Sequence, residues 1–295
     1  MKSTVVVGYD QTPHSDVALA EAAREAAMRG ADLNVVTAFR RPAPAAQTVP
    51  SVPTPAEPDP QDAARKAAEA VAQHGVDRVH ERHPGLQATP YALVGSSGKI
   101  VAQAAHSADL LVMGSRGKGG FSGLQVGSTA MRALADACCP VLVVRGETDA
   151  GHDRVTAAVD IDEPCEQVLE FAFTEASRRS CRLTVIHVWD EPWILAHSQE
   201  DPGVADDIAF IESEREDRLS AIIHSLRGRH PEVQSSHQVA AGSAGRLLVE
   251  ASSRADLLVT GARRHGEGHH GMQIGPVTQT LLQHSDCPVA VVPLS

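Results

Sequence analysis

The chain has 295 residues, a net charge of −11 and 42% hydrophobic residues, enough for two compact cores at ordinary domain sizes. The acidic balance argues against a nucleic-acid backbone as the main partner, which calls for a basic face. No apolar run approaches the roughly 18 residues of a membrane helix, and Met1-Lys2-Ser3 leads into a strand with no signal-peptide region, so the expectation is a soluble cytoplasmic protein that binds neither nucleic acid nor membrane. The five cysteines are odd in number and lack CxxC spacing; Cys139 and Cys287, each just before a proline and an apolar run, read as small core residues.

In chain order, residues 4–8 form a β-branched run that ends at Tyr9-Asp10, as a fully buried strand would. A turn over 11–15 leads to a helix carrying Ala18, Leu19, Ala22, Ala23, Ala26 and Ala27, with Ser15 or Asp16 as its cap and Gly30 as its end. Residues 33–39 read as a second strand. From 41 to 60 the prolines are too dense for sheet or helix, which predicts an extended, mobile excursion and only weakly a proline-recognition ligand. An alanine-rich helix over 61–82 and a strand over 86–94 follow, the latter demoted to a sheet edge by Pro90. Gly95-Ser96-Ser97-Gly98-Lys99 fails as a P-loop: Leu93 stands where its first glycine belongs, and Ile100 follows the lysine. It reads as the turn into a helix over 97–107.

Next come an apolar strand (Leu110, Leu111, Val112, Met113), a loop Gly114-Ser115-Arg116-Gly117-Lys118-Gly119-Gly120, and a helix beginning at Gly127-Ser128-Thr129. Strand, glycines and helix N-terminus together make a phosphate cradle: glycine backbone reaches φ > 0 and approaches an anion closely, and the first helical N–H groups have no internal partner. Ser128 and Thr129 are placed to cap the helix or bond a phosphate oxygen. Cys139-Pro140 and a strand over Val141–Val144 close the unit.

The unit recurs. Asp256-Leu257-Leu258-Val259 follows Asp109-Leu110-Leu111-Val112 at 256 − 109 = 147; Cys287-Pro288-Val289 follows Cys139-Pro140-Val141 at 287 − 139 = 148; Asp160 follows Asp10 at 160 − 10 = 150. So small a drift over a whole half means a duplicated domain, too long for a solenoid repeat. The boundaries read as 1–146 and 153–295, with a polar linker between. Each half alternates strand and helix, which predicts an α/β doubly wound parallel sheet of five strands with helices on both faces and ligands beyond the C-terminal strand ends.

The pattern Gly114-x2-Gly117-x9-Gly127-Ser128, with Val7-Gly8-Tyr9-Asp10 and Cys139-Pro140-Val141, resembles the nucleotide motif of the universal stress protein family, in tandem over nearly the whole chain. The resemblance implies two Rossmann-like (adenine nucleotide alpha hydrolase-like) domains of strand order 3-2-1-4-5. It also implies ATP, with or without Mg2+, held with little turnover. Carried over, Asp10 meets the adenosine end beside backbone at Gly8, Tyr9 and Ala38; Met113 and Gly114 line the ribose side; Arg116, Gly117, Gly127, Ser128 and Thr129 hold phosphates. In the second copy Asp160, Val188, Thr260, Gly261, Gly275 and Thr278 match, but Arg264 replaces the second glycine and Pro276 replaces the serine. That copy is expected to bind nucleotide more weakly or not at all. Its loop histidines, His265, His269 and His270, have no helical spacing to converge on a metal, and none is assigned.

No nucleophile elbow, paired base or carboxylate pair accompanies the cradle, so the expectation is no enzyme, with ATP hydrolysis slow at most. The leading reading is a regulatory ATP-binding stress-response protein with an unknown protein partner. Two others stay open. One is a nucleotide-free dimerisation module, since in related proteins the fifth strands pair and Val141–Val144 can meet 289–292 within this chain, leaving a homodimer possible in addition. The other is an enzyme transferring phosphate or AMP.

Overall fold

The computed structural model describes residues 3–41, 59–117, 126–145, 151–189, 202–264 and 271–294, with backbone only over 202–207. Most of the proline-rich excursion, Lys118 to Gly120, Trp193 and the three loop histidines lie outside the described residues. The first half runs β1 (Thr4–Gly8), α1 (Pro13–Arg29), β2 (Asp32–Phe39), α2 (Pro60–Arg82), β3 (Ala88–Val94), α3 (Ser97–Ala104), β4 (Leu110–Gly114), α4 (Ser128–Asp136) and β5 (Val141–Val144). The second runs β6 (Arg154–Val159), α5 (Glu166–Arg179), β7 (Arg182–Trp189), α6 (Pro202–Arg227), β8 (Ser235–Ala241), α7 (Ala244–Ser252), β9 (Leu257–Arg264), β10 (Met272–Gln273), α8 (Pro276–His284) and β11 (Val289–Leu294).

All eleven described strands join one sheet, ordered β3-β2-β1-β4-β5-β11-β9-β6-β7-β8, with β10 attached to β9. Each half therefore has the order 3-2-1-4-5, parallel within itself. The halves meet where β5 and β11 pair antiparallel, Leu142 opposite Ala290. Pro90 sits in an edge strand, where a missing N–H costs no ladder bond on the open side.

The central strands are largely apolar because both faces are covered: Val5, Val6 and Val7 have no exposed surface. Val5 and Val7 pack under α1 and α2, and Val6 under α3 and α4. Each of these two layers continues without a break into the second half, under α5 and α6 on one face and α7 and α8 on the other.

Several local expectations are corrected. The cap of α1 is Thr12, whose side chain accepts from Ser15 N at 3.3 Å; Ser15 is the third helical residue and returns the bond, completing a capping box. α3 stops at Ala104, three residues short. The second half holds six strands, because β9 runs on to Arg264 and pairs antiparallel with β10 where a glycine loop was expected. Cys139 and Cys287 are core residues, and burial pushes both thiols up to about 12.

Side chains also tie the halves together. Across the helix layer, α1 and α5 place Glu25, Arg29, Glu175 and Arg179 in one buried ring, with side-chain exposures of 1, 2, 1 and 6%. Each arginine pairs with the glutamate four residues before it and with the glutamate of the other half; Arg29 to Glu175 is 2.5 Å, and Arg179 meets both Glu25 and Glu175. Burial alone would raise the Glu175 carboxyl, but Arg179 and Arg29 outweigh it and hold it below the usual carboxylate range. Below the sheet, Arg145 donates to the Leu282 carbonyl at 2.5 Å, at the end of α8, where a cation complements the helix terminus.

Candidate functional site

The first cleft lies beyond the C-terminal ends of β1, β2 and β4, where the chain leaves β1 for neighbours on opposite sides. It opens to solvent around a cavity of about 80 Å3. Of the residues expected there, Gly8, Tyr9, Asp10, Ala38, Met113, Gly114, Arg116, Gly117, Gly127 and Thr129 line it together. Ser128 does not: it is exposed at the first position of α4. Tyr9 contributes backbone too, because its ring is buried and its hydroxyl donates to Asp16 at 3.0 Å on the far face.

The glycines serve space rather than unusual backbone. None of Gly114, Gly117 or Gly127 has a positive φ, contrary to the expectation for the loop. A Cβ on Gly114 would lie 2.6 Å from the His14 carbonyl oxygen, and one on Gly117 would lie 3.1 Å from Asp10 Oδ2. Gly127 N donates to Ser115 O at 2.7 Å, which staples the two ends of the glycine loop. Gly127 is then the N-cap of α4 with no side chain capping it, a correction to the expected role of Ser128 and Thr129. The first helical bond is Met131 N to Gly127 O, so the amides of residues 128–130 are helix-start donors without an intrahelical acceptor.

At the other end Asp10 is oriented by its own turn: Oδ1 accepts from Thr12 Oγ1 at 2.6 Å and from Thr12 N at 3.2 Å. The floor between is apolar. Met113 packs against Gly8, where a Cβ would sit 2.9 Å from its sulfur, and Val36 and Val101 complete it. Ser15, Val36, Ser97, Val101, Ser115 and Ala130 line the cleft without having been singled out from sequence. Ser97 and Val101 carried a legible signal, since four residues apart on α3 they share a face.

The second cleft is built from the same positions. Asp160, Val188, Thr260, Gly261, Gly275 and Thr278 all line it, and its cavity is about 430 Å3. Its cradle is gone. Arg264, in the place of Gly117, leaves the cleft and donates to the Cys138 carbonyl of the first half at 3.1 Å. Gly271 (φ 138°) lets the β9–β10 hairpin lie on α4, where a Cβ would overlap the Ala135 carbonyl oxygen.

Beside this cleft Asp160, Asp162 and His187 come within 4.8 Å of one another. A guanidinium already occupies the group: Arg215 donates to Asp162 at 2.9 Å and to His187 Nε2 at 3.1 Å, while His187 Nδ1 faces the Val159 carbonyl at 3.1 Å. Burial lowers the His187 pKa, which fits a neutral ring with Nδ1 protonated. No described helix is long and apolar enough to cross a membrane.

The model of the universal stress protein family matches residues 1–145 and again 151–293. A universal stress protein of Mycolicibacterium smegmatis is 31% identical over 98% of this chain and 96% of its own length. One of Mycobacterium tuberculosis is 31% identical over 97% and 95%. Among solved structures, a universal stress protein from Archaeoglobus fulgidus shares the fold, with a TM-score of 0.67 and 17% identity over 98% of both chains. The chain belongs to the universal stress protein family, as a tandem pair of its domains.

Proposed function

We propose that the first repeat holds ATP, with little turnover, and that the bound nucleotide regulates how the protein meets a protein partner under stress. The observation that carries this reading is the pairing of an oriented carboxylate at one end of the cleft with a stapled glycine turn and an open helix start at the other. Asp10 would accept from ribose or adenine donors, and the apolar floor of Val36, Val101 and Met113 would take the base. The amides at the start of α4 would face the phosphates, with exposed Arg116 offsetting their charge. A Mg2+ ion would arrive with the nucleotide, since no carboxylate pair flanks the helix start among the lining residues. None of these side chains is a nucleophile paired with a base, which supports a binding rather than a catalytic role.

Titration calorimetry with ATP and AMP tests the reading. One ATP per chain is expected, lost in Gly127→Arg with the melting temperature unchanged. No uptake at millimolar ATP would leave the interaction-module reading. That reading would need another surface for a second chain, because the outer edges of β5 and β11 are paired with each other.

A further inference from the structure

We propose that the second repeat's cleft is a receptor site for an uncharged, largely apolar small molecule. The two clefts are lined by equivalent positions, so their chemistry compares one residue at a time. Ser15, Ser97, Ser115 and Thr129 of the first become Cys165, Ala244, Ala262 and Val277 in the second, at offsets 165 − 15 = 150, 244 − 97 = 147, 262 − 115 = 147 and 277 − 129 = 148. Four hydroxyls are replaced by apolar or weakly polar groups. Thr260 and Thr278 run the other way, but Thr278 Oγ1 already donates to the Gly261 carbonyl at 3.2 Å.

The wall beside Gly261 thickens in the same sense. A Cβ there would lie 2.9 Å from Val168 and 3.0 Å from Leu294, both of which line the cleft. Leu294 enters because β11 extends to that residue, beyond the reach of its counterpart strand Val141–Val144.

Charge at the mouth excludes the first cleft's ligand. Asp160 and Glu163 both line the rim, Arg263 is paired to Glu163, and Arg264 is spent on the Cys138 carbonyl. Two carboxylates against one paired guanidinium repel a triphosphate, while an uncharged body gains from the apolar area it removes from water. One hydroxyl or N–H on that body matches the Asp160 carboxylate.

N-phenyl-1-naphthylamine, an uncharged aromatic amine whose emission rises in apolar surroundings, is the probe. Saturable one-to-one binding to the full chain is expected, unchanged by millimolar ATP. Ala244→Phe, which fills the cleft from the start of α7, should weaken it at least tenfold, as should Val277→Arg at the surface of α8. Ser97→Phe, at the equivalent place in the first cleft, should abolish ATP uptake and leave dye binding intact. The proposal is overturned by the absence of saturable binding, by displacement with ATP, by loss in Ser97→Phe, or by survival in both second-cleft variants. A failure of ATP uptake in the unmodified protein would sink the first-repeat reading and leave this one standing.

Discussion

At the first cleft β4 ends at Gly114, and α4 starts after Gly127, whose N–H is held by Ser115 O. At the second, β9 continues three residues beyond the matching Gly261 (264 − 261 = 3), and β10 folds back along it. One position separates the outcomes. Gly117 leaves room beside Asp10, whereas Arg264 cannot lie there and reaches the neighbouring half instead. Loss of a glycine from an anion cradle thus became gain of a contact between repeats. Hydroxyls around the same opening disappeared with it, so the two clefts differ in polarity as well as shape.

Breaking the frame that holds both clefts should have the largest effect. Glu175→Ala leaves Arg29 and Arg179 with Glu25 alone between them in a buried site, and a loss of about 3–5 kcal/mol is expected in urea unfolding. Because the Glu175 pKa is depressed, its contribution is complete above the unfolded value of about 4.3 and is lost as pH falls through the folded value. The gap between wild type and Glu175→Gln should therefore begin to narrow below about pH 4 and close only below the folded value.

Gly271→Ala attacks the hairpin alone. Strain at positive φ and overlap with α4 should cost on the order of 3 kcal/mol, and amide exchange should rise across β10 and the end of α4. If exchange rises elsewhere but not there, the hairpin is no interface.

A matched pair sharpens the contrast further. Gly114→Ala meets the rigid His14 backbone and should cost about 1–3 kcal/mol along with ATP uptake. Gly261→Ala meets only the side-chain tips of Val168 and Leu294, and should cost less than about 1 kcal/mol. Smallest of all, Arg116→Ala should weaken ATP about fivefold, less at high salt, while Arg263→Ala should leave ATP affinity unchanged.

Most of the fold was legible because buried parallel strands write themselves as β-branched runs and because the duplication repeats each one. The cleft was legible where glycine or carboxylate marks it. Val36 and Ala130 were not, since an apolar residue that floors a site looks like any core residue until the register is known. The hairpin was hidden for a similar reason. Arg264 in a glycine's place announced a missing cradle, but its new partner is 264 − 138 = 126 residues away, a distance no local pattern spans. Asp109 shows the converse. It is repeated in both halves just before the glycine loop's strand, yet it accepts from Thr4 N at 2.7 Å at the opposite end of the sheet, and Asp256 likewise holds Arg154 N at 2.8 Å. Both tie strand starts and take no part in either cleft.

The ring on α1 and α5 has a further consequence. Glu25 and Glu175, and Arg29 and Arg179, are each 150 residues apart (175 − 25, 179 − 29), so each helix offers the other what it receives. Such a surface is self-complementary, as is an antiparallel pairing of equivalent strands, and two identical half-chains could close through it as a twofold dimer. Identical halves, however, must carry identical clefts. Joining them in one polypeptide keeps the twofold frame while letting each opening change alone, and that is how a symmetric scaffold comes to present two unlike clefts.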